Sequence, residues 1–429
     1  MSRLLIKNGL VIDPSTGLDG IRDVLIEGNK IAKVGKGLRG GGKVIDATGK
    51  IVTPGFIDMH VHLRDPGRPD KETIASGSRA AALGGFTSIC CMANTDPPAD
   101  NPAVIEYIVA KAAAEAVVNI FPIASITKGL KGEELAEMGR CFHEGAIAFS
   151  DDGRPVMRAD VMRRALEYAR QFGVPIISHC EDLNLSSGGS MNEGQVATEI
   201  GLPGIPSLAE EVMVARDILL AREFGRLHLA HVSSANSVKL VRQAKKEGIP
   251  VTCETCPHYF SLTEEAARFY DTNAKVNPPL KTAADIREVI RGLKDGTIDV
   301  IATDHAPHTI EDKRIEFNLA SSGMVGLETA FPLIFSKLII EQKMELGKII
   351  AKITTAPAAI LNLTRKGTLR PGADADVVIL DPQAAIIVDP NKFASRGKNT
   401  PFTGWPLTGG VNCTIVGGRV VVKDGRLVG

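Results

Sequence analysis

The stretch GFIDMHVHLRDPG, Gly55 to Gly67, reads as a buried strand that turns polar at its end, with His60 and His62 one residue apart and Arg64 just beyond. Successive strand residues point to opposite faces, so the two histidines share a face roughly 7 Å apart along the chain. Ile57, Met59 and Val61 are expected on the other face. The same pattern, an apolar run closing on polar residues, recurs at 86–94, 119–127, 146–152, 175–182, 227–234, 250–258 and 298–308. Amphipathic stretches such as ADVMRRALEYARQFG and SANSVKLVRQAKKEG lie between them, each ending on a glycine suited to a helix C-terminus. Eight strand-plus-helix units predict an α/β fold, a (β/α)8 TIM barrel. A doubly wound open sheet is the alternative, but no Gly-x-Gly-x-x-Gly turn follows the first strand.

The ends have a different texture. LLIKNGLVIDP, DVLIEGNKIAKVG and KVIDATGKIVTPG are short alternating runs broken by turn dipeptides, and GADADVVILDP and NCTIVGGRVVVKDG repeat that texture near residue 400. One small β-sandwich assembled from both segments is expected: residues 1–54 and 358–429 around a barrel of 55–357. Two inserts, 183–206 and 259–282, read as loops over the C-terminal face of the barrel, where barrel active sites lie.

Composition excludes several classes. Lys+Arg and Asp+Glu balance at 50 each, which argues against a nucleic-acid partner or an acidic membrane surface. No apolar run reaches membrane-spanning length. Seven scattered cysteines fit a reducing compartment, the cytoplasm, better than a disulfide framework.

The unusual residues gather at strand ends. His179 closes the fifth strand, His231 the sixth and Asp304 the eighth. On the fourth strand Ala148, Ser150 and Asp152 share one face, and Ile147, Phe149 and Asp151 the other. Bulky residues should meet the helices, so Asp152 faces inward. His60, His62, Asp152, His179, His231 and Asp304 together form a nitrogen and oxygen donor set suited to Zn2+. Six donors exceed one tetrahedral ion, which leaves one or two ions per subunit open. Such a cation activates water for attack on a carbonyl, and Asp304 is the expected proton carrier. Cys253 and Cys256 read as packing residues, His228 as a core histidine facing away from His231, His143 as a surface residue and Cys180 as a small buried side chain.

The chain resembles the bacterial long-chain (type I) dihydroorotases, in the cyclic amidohydrolase branch of the amidohydrolase superfamily. The segments carrying the resemblance are GFIDMHVHLRDPG, CMANTDPP, FSDDG, HCED, AHVSS, KVNPPL, TDHAPH and GADADVVILD. It implies the same metal ligands and a substrate held by Arg64, Asn94, Asn277 and His308. It also implies the small-molecule pair carbamoyl aspartate and dihydroorotate, a homodimer or higher homo-oligomer, and association with aspartate transcarbamoylase. Relatives acting on dihydropyrimidines or allantoin carry a carboxylated lysine on the fourth strand, where this chain has Asp152. The alternatives are another cyclic amidohydrolase or a non-catalytic scaffolding paralogue. A guanidinium fork suits the ring carboxylate that distinguishes dihydroorotate from dihydrouracil.

Overall fold

The computed structural model describes residues 2–40 and 42–428. Met1 and Gly429, which begin and end the expected sandwich segments, lie outside them. Eight parallel strands form the centre: Phe56–Val61, Phe86–Cys91, Asn119–Pro122, Phe149–Ser150, Ile176–Ser178, Leu227–Leu229, Val251–Thr255 and Val300–Ile301. The first three pair in one sheet and the last five in another. Parallel bridges between Ala124 and Phe149 and between Val61 and His305 close the ring.

Most of the barrel is apolar on both faces because helices cover the outside. Phe149, Ile176, Leu227, Leu229 and Cys253 pack outward, against helical residues such as Val161, Leu166 and Val241. The helix Ala159–Arg170 buries Val161, Met162, Ala165, Leu166 and Ala169, a single stripe at helical spacing. Gly173 and Gly248 take left-handed φ of 69° and 74° just past their helices, as the sequence predicts. Inside the ring, Met59, Cys90, Ile123, Ala148, Ile177, Ala230 and Ala302 form a second apolar cluster. It shares strand parity with Asp152, His179 and Asp304, and so forms a floor below them.

Met59 departs from the expected alternation, which set it opposite the histidines. Pairing between the first two strands shifts register between Asp58 and Val61. A bulge of this kind lets neighbouring residues face the same side, so Met59 joins the floor while His60 faces the cage above it. Deleting one strongly buried floor or wall side chain, as in Phe149→Ala, should cost about 3–5 kcal/mol.

The terminal segments share one nine-stranded sheet. Ile51–Pro54 runs antiparallel to Val377–Leu380 and joins the two ends of the chain. Leu4, Ile6, Val24, Ile26, Val377 and Ile379 lie in its core. The helix Thr355–Ile360 spans residue 357, and Ile360 and Leu361 pack into the barrel floor. We therefore propose that the barrel segment runs a few residues past 357.

The two inserts are more ordered than loops. The first forms the helix Gln195–Ile200 and a parallel pair, Met191–Asn192 with Gly204–Ile205. It locks to the second through Asn192 Nδ2 donating to Glu264 Oε2 (2.6 Å) and an Arg268–Glu199 pair (2.6 Å). Met191, Val196, Ala197 and Ala267 pack with Phe317, which lies outside the inserts, in a small apolar cluster. Those apolar residues are spaced too sparsely among Gly, Ser and Asn to show in the sequence.

Candidate metal centre and substrate pocket

At the C-terminal rim of the barrel the structure brings together all six expected ligands. His60 Nε2 lies 3.3 Å from Asp152 Oδ1 and 3.4 Å from Asp304 Oδ1. His62 Nε2 lies 3.1 Å from Asp304 Oδ1 and 3.4 Å from Asp152 Oδ2. On the other side, His179 Nδ1 and His231 Nε2 stand 2.7 Å apart, at 3.5 and 3.4 Å from Asp152 Oδ1. Asp152 thus lies between His62 and Asp304 on one side and His179 and His231 on the other, with His60 close to both: His60, His62 and Asp304 converge, and so do His60, Asp152 and His231. All six side chains are buried.

Asp151 and Asp152 separate as alternation predicts. Asp151 turns away and accepts from Ile126 N (2.7 Å) and Thr127 N (3.0 Å). His231 and Asp304 reach the centre by a different route. The sixth and eighth strands end at Leu229 and Ile301, and both residues adopt left-handed backbone, φ 35° and 48°. Such conformations cost non-glycine residues of order 1–3 kcal/mol and persist where surrounding structure fixes them. This turn also corrects the placement of His228. It was expected to face away from His231, yet it donates from Nε2 to Glu254 Oε2 at 3.2 Å, because the chain reverses phase between the two.

The outer nitrogens show how the cage is oriented. His60 Nδ1 meets Glu254 Oε1 at 2.6 Å, His62 Nδ1 meets Asn94 Oδ1 at 2.8 Å, and His179 Nε2 meets Glu181 Oε2 at 3.0 Å. Each partner atom only accepts, so each outer nitrogen is a donor and the inner nitrogen is the one presented to the carboxylates. His60 Nε2 and Asp152 Oδ1 are buried and lack any hydrogen-bond partner among the described residues. Unpaired buried polar atoms of this kind are costly unless something else engages them. Four imidazoles and two carboxylates with converging lone pairs fit a borderline divalent cation.

Charge is concentrated here. Burial lowers the His60 imidazole, but Asp152, Asp304 and Glu254 outweigh it and hold it well above its ordinary value. Burial raises the Asp152 carboxyl, and His60, His179 and His231 bring it well below the usual carboxylate range. Asp304 is likewise lowered, burial being outweighed by His60 and His62.

A cavity of about 540 Å3 opens above this cage, lined in part by Arg64, Asn94, Asn277, Asp304, His308 and Gly323. All four residues expected at the substrate face it. Asn277 also donates to Glu181 Oε2 (2.8 Å), and Asn94 also holds His62. Arg64 lies past the end of its strand, with φ 55°, and not on a continuation of it as sequence parity implied. Its Nε donates to Pro307 O at 3.4 Å and its outer nitrogen lies 3.5 Å from His308. The nearby carboxylates are taken: Asp65 pairs with Lys111 (2.9 Å) and Asp70 with Arg68 (2.6 Å). His308 donates from Nε2 to Ser322 O (2.9 Å), and Lys71 Nζ reaches its Nδ1 (3.2 Å). Burial, with Arg64, Lys71 and Lys313 close by, pulls the His308 imidazole down to about 3, so it is neutral.

Residues the sequence reasoning missed include Glu254, Glu181, Lys71 and Arg154, the last on the cavity wall. Glu254 left one signal, an acid on the inward parity of an otherwise uncharged strand. Cys180 points outward, toward Ser178 Oγ (3.5 Å) and Asp217 Oδ2 (4.0 Å). Cys253 and Cys256 pack in separate apolar clusters, and His143 is exposed. His305 donates from Nε2 to Glu72 Oε2 (3.2 Å) outside the cage. His258 is buried beside Tyr259, with its Nε2 unpartnered among the described residues.

Comparison with known proteins agrees with this geometry. Residues 51–421 match the family described as the amidohydrolase family. A dihydroorotase of Pelotomaculum thermopropionicum is 57% identical over 424 residues, 98% of this chain and 99% of that protein. One from Geobacter metallireducens is 55% identical over the same span and coverage. Among solved structures, the L-hydantoinase of Arthrobacter aurescens superposes with a TM-score of 0.90 at 28% identity, covering 100% of this chain and 98% of its own. A dihydropyrimidinase of Brevibacillus agri, at 24% identity, TM-score 0.87 and coverage of 100% and 96%, shares the fold. A sandwich-flanked barrel, a histidine and carboxylate cage at its C-terminal rim and a match across most of its length have one reading: the chain belongs to the amidohydrolase family.

Proposed function

We propose that this enzyme is a dihydroorotase, catalysing the reversible closure of N-carbamoyl-L-aspartate to L-dihydroorotate in pyrimidine biosynthesis. The observation that carries this reading is Arg64, a guanidinium on the cavity wall with no ion-pair partner among the described residues. Its fork suits a ligand carboxylate. Relatives named dihydroorotase, more than half identical across the chain, support the same activity.

His60, His62, Asp152, His179, His231 and Asp304 would hold the cation, which we take to be Zn2+, one or two ions per subunit. When bound, it supplies Lewis acidity at the C4 carbonyl and brings the pKa of water toward neutrality. Arg64, with Asn94, Asn277 and neutral His308 around the same cavity, orients the ring by its carboxylate. In the hydrolytic direction water adds to C4 and the C4–N3 bond breaks. An Asp304 carboxylate oxygen takes the proton from water and returns it to N3. In the biosynthetic direction the ureido nitrogen attacks the side-chain carboxyl carbon, and Asp304 carries the proton to the departing oxygen.

We further propose a cytoplasmic homodimer or higher homo-oligomer that associates with aspartate transcarbamoylase. The seven unpaired cysteines support a reducing compartment. Among the described residues no helix is long and apolar enough to cross a membrane. The test is turnover of dihydroorotate, dihydrouracil, hydantoin and allantoin by purified protein, before and after chelation and Zn2+ add-back. Turnover of dihydroorotate alone, lost on chelation and restored by Zn2+, is expected. Turnover of dihydrouracil without dihydroorotate would overturn the reading.

A further inference from the structure

Glu254 lies on the seventh barrel strand and is fully buried. Its two oxygens face in two directions. Oε1 accepts from His60 Nδ1 at 2.6 Å and from the backbone N of His231 at 3.4 Å. Oε2 accepts from His228 Nε2 at 3.2 Å, and His228 Nδ1 lies 2.8 Å from Thr252 Oγ1. A carboxylate has no proton to give, so both imidazole nitrogens facing it must be N–H donors. His60 is then left with its lone pair on Nε2, aimed at Asp152 and Asp304. His228 is left with its lone pair on Nδ1, and the Thr252 hydroxyl donates to it. Every bond in the series Thr252–His228–Glu254–His60 therefore points the same way.

The second contact of Oε1 gives this series a wider reach. His231 holds left-handed backbone at φ 35°, which an L residue adopts at a cost. Its N–H is tied to the same oxygen that orients His60. His60 converges with His62 and Asp304 and also with Asp152 and His231, and His231 stands against His179. We propose that Glu254 is a positioning residue that presets both halves of the metal centre, fixing the His60 tautomer and anchoring the His231 turn through one carboxylate. Thr252 and His228 in turn fix the orientation of Glu254.

This inference rests on the metal-centre reading above. It is tested by comparing wild type with Glu254→Gln and Thr252→Val. Each metal-free protein is titrated with Zn2+ against a chromophoric chelator, and each zinc-loaded protein is labelled with 15N-histidine for long-range 1H–15N spectra. With nine histidines in the chain the spectrum is assignable. Partners that orient ligands of this kind typically control metal affinity by about 10–100-fold. Glu254→Gln, whose amide offers one acceptor and one donor, is expected to raise the zinc dissociation constant by about that factor and to move the hydrogen-bonded Nδ1–H signal of His60 upfield. Thr252→Val removes only the hydroxyl, keeps the buried volume, and is expected to raise the constant by a smaller factor. Wild-type affinity together with an unmoved His60 Nδ1–H signal in Glu254→Gln would overturn the proposal while leaving the metal centre standing. Should that variant not fold, unchanged affinity in Thr252→Val would overturn it instead. Failure of wild type to bind zinc would overturn the metal-centre reading itself.

Discussion

The floor and the wall of the cavity are built on different principles. The floor is the cage of four histidines and two aspartates, set on the ends of parallel strands whose spacing is fixed by the barrel. Its side chains are buried and oriented by acceptors behind them, Glu254, Asn94 and Glu181. The wall is made of loops: Arg64, His308 and the 321–323 segment. It is held by cations bonded to backbone carbonyls and by reach-over contacts. Lys313 Nζ donates to Thr272 O (2.9 Å) and Ser321 O (2.7 Å), and Asn399 Oδ1 accepts from His308 N (2.9 Å). A site can therefore keep its chemistry on the rigid part of a fold and its choice of substrate on the adjustable part.

The sharpest way to break this division is at the shared carboxylate. Asp152→Ala removes a donor from both halves of the cage, and kcat/KM should fall by at least about a thousandfold, some 4 kcal/mol of barrier. Metal analysis should show a matching deficit. If metal and activity both survive, the floor is not where the chemistry resides. Next in size is Arg64→Ala on the wall. Loss of a charge-assisted pair worth about 1.5–3 kcal/mol should raise KM for dihydroorotate roughly 10–150-fold. Bound metal should not change, and a loss of metal would erase the distinction between wall and floor.

His308 sharpens the comparison by pH. Its pKa in the fold is about 3, against roughly 6.5 when unfolded. The unfolded chain thus binds the extra proton between these values, and stability rises with pH across that window and is lost as pH falls below about 6.5. By pH 5 the loss is at most about 2 kcal/mol. Urea unfolding at pH 7 and pH 5 should show a smaller difference in His308→Gln than in wild type, and an equal difference would contradict the assignment. The smallest effect belongs to Cys180→Ala. The thiol faces Asp217 and not the cage, so zinc affinity should stay within about twofold, with a stability loss of about 1 kcal/mol. A large drop in affinity would place the thiol among the ligands.

Much of the floor could be read from the sequence because strands impose a two-residue rule. That rule chose Asp152 over Asp151 and put His60 and His62 on one face. It failed where the backbone leaves the strand. The bulge at Met59–His60 and the left-handed turns at Arg64, His231 and Asp304 change the side-chain direction without any residue that announces it. His231 was expected at the centre and is there, but by another route: it has the parity of outward-packed Leu229, and its left-handed turn brings the side chain in. The wall was legible only by resemblance. Lys71, Lys313 and Asn399 act through loops whose mutual distance no periodic pattern encodes. Glu254 lies within CETC, where the cysteine spacing is the stronger pattern and nothing in the sequence ties the acid to His60.

The reach of Asn399 and Ser395 into the barrel has a consequence for how the enzyme comes into being. Ser395 Oγ donates to Glu72 Oε2 (2.5 Å), and Asn399 Nδ2 donates to Ala306 O (3.0 Å) and Gly323 O (3.1 Å). A nascent chain that has released all eight barrel strands from the ribosome, through Ile301, still lacks nearly a hundred residues of lead before these contacts form. The contacts that brace the cavity wall therefore join residues made far apart in time, and they are among the last the growing chain can complete.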